Sequence, residues 1–158
     1  MKRRILPQYL AAAVAFATWL ASSDARAASC SFSSVIGVAF GTYDVFSSTA
    51  LDSTGSMTIV CSGLQAMDLI TIDIGFGSNP VGTTRYMMNG MHALEYNLFT
   101  DASRTSIWGN GSNGTVVQGP LSIANDTPTT WTVYGRIPAQ QNVSVGSYSD
   151  SVLITVQF

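Results

Sequence analysis

Charge is scarce in this chain: 10% of its 158 residues are Asp, Glu, Lys or Arg. Histidine occurs once, at His92, and cysteine twice, at Cys30 and Cys61. So few nitrogen and sulfur donors do not make up the four-ligand set of a structural zinc site. No serine sits in a Gly-x-Ser-x-Gly elbow, and His92 lies in Asn89-Gly-Met-His-Ala, a loop leading into a strand. Asp68 and Asp73 are five apart on one strand and point to opposite faces, which excludes a paired-carboxylate site from that strand. Neither Asp52-Ser-Thr-Gly nor Asn110-Gly-Ser-Asn-Gly has the twelve-residue spacing and closing Glu of a calcium loop. The sequence therefore predicts no enzyme, no metal and no cofactor.

The first residues are of a different kind. Met1-Lys-Arg-Arg is a basic start, Leu10 to Ala21 is an apolar stretch too short to span a bilayer, and Ala25-Arg26-Ala27 is an A-x-A cleavage site. Residues 1–27 read as a secretory signal peptide and residues 28–158 as one mature domain. Removing Lys2, Arg3, Arg4, Arg26 and Asp24 leaves three cations, Arg85, Arg104 and Arg136, against eight carboxylates, a net charge near −5. Three dispersed arginines and no lysine form no phosphate-binding patch, so nucleic acid is excluded as a partner. No second long apolar run follows, and the mature chain is not expected to span a membrane by helices. In an exported chain, Cys30 and Cys61 are expected to form one disulfide. Closing a loop of about 30 residues is worth roughly 3–4 kcal/mol in the chain-entropy picture.

What the mature chain does contain is β pattern. Runs rich in Val, Ile, Thr, Tyr and Phe alternate with polar residues and are cut by Gly, Asn, Ser and Pro. Strands are predicted at 31–40, 56–61, 68–75, 93–101, 116–123, 130–137 and 151–158. About seven short strands at this spacing imply an all-β, immunoglobulin-like two-sheet sandwich. In the last of them Val152, Ile154, Val156 and Phe158 share one face, and Leu153, Thr155 and Gln157 the other. The sequence ends inside that strand, so either one of its edges awaits another strand or it closes the sandwich unaided. Trp108, Trp131, Tyr43, Tyr86, Tyr96, Tyr134 and Tyr148 would stack on sugars if gathered in one exposed patch, or pack within the sandwich.

Several phrases, in order along nearly the whole mature chain, resemble the spore coat protein U domain family. They are Val38-Ala-Phe-Gly-Thr-Tyr43, Ser56-Met-Thr-Ile-Val-Cys61, Arg85-Tyr-Met-Met88, Leu94-Glu-Tyr-Asn-Leu-Phe-Thr-Asp101, Ile107-Trp-Gly109, Val133-Tyr-Gly-Arg-Ile-Pro138 and Gly146-Ser-Tyr-Ser-Asp150. The resemblance implies a subunit of an archaic chaperone-usher pilus, whose sandwich lacks its final strand. That strand is lent first by a periplasmic chaperone and then by a neighbouring subunit, after passage through an outer-membrane usher. On that view Val152, Ile154, Val156 and Phe158 border the acceptor groove, strand 31–40 forms its other wall, and Cys30 and Cys61 match the family's disulfide. The product would be a fimbrial subunit at the cell surface, serving attachment and biofilm formation. With cleavage after Ala27 only Ala28 and Ser29 precede Cys30, too few for a donor strand, which points to the fibre tip. The competing expectation is a free-standing secreted coat component or carbohydrate-binding module.

Overall fold

The structure, a computed structural model, describes residues 27–158. The expected signal peptide, but for Ala27, lies outside the described residues. Eight strands form: β1 (Ser29–Ile36), β2 (Leu51–Ser62), β3 (Ile70–Ile74), β4 (Arg85–Asn89), β5 (His92–Phe99), β6 (Gln118–Leu121), β7 (Thr129–Ile137) and β8 (Ile154–Gln157). Among the described residues there is no helix, and the chain is all-β. One sheet has the order β1-β2-β7-β5-β4 and the other β6-β3-β8, with every strand pairing antiparallel.

Alternation along the strands builds the space between the sheets. Met57, Ile59 and Cys61 of β2 point inward and are fully buried, as are Ile70, Ile72 and Ile74 of β3. Leu94, Tyr96 and Leu98 of β5, Val133 and Ile137 of β7, and Trp108 complete one shared core. The two sheets are thus the layers of a β-sandwich. Cys30 and Cys61 are bonded to each other, directly across the β1/β2 ladder.

The strands differ from the sequence reading in instructive ways. There are eight rather than about seven, because Arg85-Tyr-Met-Met-Asn89 pairs with β5 through a two-residue turn at Gly90 and Met91. This segment has no β-branched residue, so its propensity is weak, and pairing with β5 makes it a strand. β1 stops at Ile36 instead of running to Phe40, because the chain leaves the sheet edge and crosses inward. Val38 and Phe40 lie so close over Gly135 of β7 that a Cβ there would strike both side chains. β6 is confined to four residues, two of them Gly119 and Pro120, which weaken a ladder. β8 begins at Ile154 rather than Ser151: Gly75 N still donates to Leu153 O at 2.8 Å, one step along the β3 register, but Ser151 N turns to the Asp150 carboxylate at 2.8 Å.

Candidate functional site

β1 is an edge strand whose inner face is uncovered. Phe32 stands directly opposite Ile59, and Val35 opposite Met57, so all four side chains share the core-facing side. Ile59 and Met57 are fully buried, yet Phe32 is 41% and Val35 54% exposed. Phe32 and Val35 are three apart and would fall on opposite faces of a regular strand. A bulge between Phe32 and Ser34 turns both inward, and the Ser33 hydroxyl bonds Thr58 O at 3.3 Å. The second sheet therefore covers β2 and leaves β1 open.

β8 is the matching feature in the smaller sheet. It pairs with β3 on one side, Ile154 opposite Ile74 and Val156 opposite Ile72, and among the described residues no strand pairs with its other edge. Ile74 and Ile72 are buried, whereas Ile154 and Val156 on the same face are only half-buried. Val152 lies before the strand and packs against the core, and Phe158 lies just past it, 55% exposed. On the opposite face Gln157 donates to Asp73 Oδ2 at 3.0 Å, and Thr155 stands across from Asp73. The continuations of the two edge strands line one cleft. It has a volume of about 650 Å³ and is lined by residues 38–46, after β1, residues 143–148, before β8, and Met87, Leu94 and Ile137. Phe46 and Val145, one from each segment, are almost wholly exposed.

A polar network, not anticipated from the sequence, ties the sheets together at the start of β8. Arg85 of β4 is fully buried. Its guanidinium donates to Gly75 O at 2.9 Å, Ile74 O at 3.0 Å, Trp108 O at 2.6 Å and Asn97 Oδ1 at 3.2 Å, and it stacks on Phe76 with 5.1 Å to the ring centroid. Burial pulls its pKa down to about 10, against the favourable influence of Tyr96 and Asp150. The Trp108 indole donates to Ile72 O at 3.0 Å. Tyr96 donates to Asp150 Oδ2 at 2.8 Å, and burial, reinforced by that carboxylate, pushes the phenol above its ordinary value. Asp150 Oδ1 accepts from Ser78 N at 2.9 Å and Ser151 N at 2.8 Å. The available signal was Arg85 itself: a cation inside Arg85-Tyr-Met-Met88, where residues 28–158 hold only two others. For Phe32 and Val35 no sequence signal existed, since a bulge is not written in their spacing.

The other candidate chemistries separate. His92 is the first residue of β5 rather than part of a loop, and it is exposed. Its ring meets the Ser144 hydroxyl at 3.4 Å, and among the described residues no carboxylate is hydrogen-bonded to it. No group of three His, Cys, Asp or Glu among the described residues could hold a metal. Of the seven aromatics considered for a sugar platform, Trp108 and Tyr96 are core, and Trp131, Tyr43 and Tyr148 pack against it. Tyr43 donates to Pro138 O at 2.7 Å and accepts from Gln141 N at 2.8 Å. Only Tyr86 and Tyr134 remain, and Arg104 lies over the Tyr134 ring. Among the described residues no helix is long and apolar enough to cross a membrane.

Comparison with known proteins agrees with this architecture. The chain is 36% identical over 130 residues to Protein U of Myxococcus xanthus, a match covering 75% of this chain and 70% of that protein. Its fold is similar to a chain in the CsuC-CsuE chaperone-tip adhesion subunit pre-assembly complex from the archaic chaperone-usher Csu pili of Acinetobacter baumannii. That superposition has a TM-score of 0.60 at 22% identity and covers 84% of this chain. This chain spans 40% of the length of that one. Residues 15–155 match the Spore Coat Protein U domain, and the chain belongs to that family.

Proposed function

We propose that this chain is a structural pilus subunit whose sandwich is completed by an extended strand lent by another protein. The observation that carries this reading is the uncovered inner face of β1 together with the free edge of β8. A strand added beside β8 would become the fourth of the smaller sheet and give Phe32, Val35, Ile154 and Val156 an apolar partner layer. The solved relative of similar fold comes from a chaperone–subunit complex of such a pilus, which supports the same kind of partner here. The proposed course is export on the leader, maturation to residues 28–158, capture by a periplasmic chaperone, and transfer at an outer-membrane usher to a neighbouring subunit. The end state is a surface fibre serving attachment and biofilm formation. The groove is bordered by Val152, Ile154, Val156 and Phe158 on one side and by β1 on the other.

Burying about four donor side chains at roughly 1.5–3 kcal/mol each supplies on the order of 6–12 kcal/mol before ordering costs, comparable to a domain's whole stability. The test compares protein recovered from the periplasm with and without a periplasmic chaperone of the same host, or with a synthetic strand of alternating apolar residues. Alone it is expected to aggregate and to melt at low denaturant; with the partner it should form a soluble one-to-one complex. A monodisperse monomer whose cooperative melt is unchanged by either partner would overturn the reading and leave the free-standing module.

A further inference from the structure

Resting on that reading, we infer that Asp150 is a positioning residue for the acceptor strand, holding β8 in a receptive geometry before any partner arrives. A free edge strand pairs with its sheet on one side only and gains little order from its own ladder. β8 has only the four-residue pairing to β3. The segment just before it is held much more firmly, and from three directions. Ser149 exchanges two backbone hydrogen bonds with Met88 of β4, at 2.9 and 3.2 Å. Asp150 takes the Tyr96 hydroxyl of β5 on one carboxylate oxygen and the amides of Ser78 and Ser151 on the other. Gly75 N bonds Leu153 O.

The same short stretch, Ile74 to Ser78, is itself fixed from the larger sheet, because Arg85 of β4 donates to the carbonyls of Ile74 and Gly75. Gly77, with φ at +81°, fits against the Asp150 carboxylate where a Cβ would collide with it. Among the described residues, Asp150 is therefore the one side chain that joins β5, the loop after β3 and the root of β8. Its location explains a requirement of strand capture. A partner strand pairs productively only with the fraction of molecules in which β8 already lies flat beside β3, so apparent affinity scales with that fraction. Removing the anchor lowers the fraction without touching any atom of the groove.

The experiment uses disulfide-bonded periplasmic protein in four forms: unmodified, Asp150→Ala, Asp150→Asn and Tyr96→Phe. Two quantities are read: amide exchange of the free subunit, and the association and dissociation rates of a fluorescent synthetic strand of alternating apolar residues. Asp150→Ala is expected to speed exchange at residues 151–157 and to slow association about tenfold, with dissociation nearly unchanged because a bound strand supplies the missing order. Tyr96→Phe loses one of the three side-chain bonds and should slow association about threefold. Asp150→Asn keeps an acceptor for the Ser78 and Ser151 amides and should restore association to within about threefold of the unmodified protein.

Association by Asp150→Ala at the unmodified rate overturns the inference. So does exchange that rises equally through β2, β5 and β7, since that pattern means general destabilisation. If the unmodified protein captures no strand at all, the subunit reading itself fails. The exchange pattern then decides separately whether Asp150 holds β8.

Discussion

Replacing Ile154 or Val156 with Asp separates a strand that receives a partner from a strand that merely fills a core. Both side chains are half-buried in the free protein, across the ladder from Ile74 and Ile72. A carboxylate at either position can keep water on its open side, so the free subunit loses mainly part of one apolar side chain's burial, about 1–1.5 kcal/mol. A partner strand would close that side. The Asp must then be held neutral at pH 7 against an ordinary value near 3.9, a cost of about 4 kcal/mol. That cost falls on capture itself, because the lost burial is common to the free and bound states, and about 4 kcal/mol weakens capture roughly a thousandfold. Ile72→Asp is the control. Ile72 is fully buried in the free protein, so it pays the whole charge cost on folding plus about 2–3 kcal/mol of lost burial, enough to unfold a marginal domain. Thr155→Ser, across from Asp73 on the other face, should change stability by less than about 0.5 kcal/mol. The assay pairs urea unfolding at high dilution, where aggregation is slow, with chaperone co-purification. Ile154→Asp and Val156→Asp should fold without being captured, and Ile72→Asp should not fold. If the two β8 variants bind chaperone as the unmodified protein does, β8 is not at the subunit interface and the strand-lending mechanism is wrong.

Arg85→Met leaves the carbonyls of Ile74, Gly75 and Trp108 without their donor, at about 1–3 kcal/mol each, partly offset because no cation is buried; a net loss of about 3 kcal/mol is expected in urea unfolding. Cys30→Ser with Cys61→Ser should cost about 3–4 kcal/mol by the same measurement, and a loss below about 1 kcal/mol would mean the unfolded chain is not constrained by the bond. Hydrogen bonds from Ser103, Ser106 and Thr105 hold the Asp101 carboxyl well below its ordinary 3.8, and the hydrogen bond from Arg136 lowers that of Asp52. Groups depressed in the fold contribute stability above the unfolded value and lose it as pH falls through the folded one. Acid unfolding curves should therefore steepen below about pH 4, and Asp101→Asn should flatten them.

How much of this the sequence disclosed depended on whether a residue's role was local. Alternation in Ser56-Met-Thr-Ile-Val-Cys61 and in Thr130 to Ile137 announced two strands, each of which the fold pairs on both sides. The apolar row of the last strand was legible from the same alternation, although β8 is paired on one side only. β4 was not, since its two methionines and an arginine have little strand preference and its hairpin partner supplies the order. The network around Arg85 and Asp150 joins residues 65 positions apart through backbone carbonyls, and no composition or spacing encodes which carbonyl will be near. The inward turn of Val35 needed the bulge at Ser33, a geometric feature with no residue signature.

The position of the disulfide determines where a mechanical load enters the domain. An isolated edge strand can be unzipped from its sheet one hydrogen bond at a time, the weakest way for a ladder to fail. Cys30 is the second residue of β1, bonded straight across to Cys61 near the far end of β2. A pull on the chain ahead of Cys30 therefore bypasses the β1 ladder and arrives at β2, which is paired on both sides, to β1 and to β7. To give way, the sheet must slide β2 lengthwise against nine paired positions of β7 at once instead of peeling them in turn. In single-molecule pulling, reductant should convert a high-force rupture into a low-force one by reopening the zipper route.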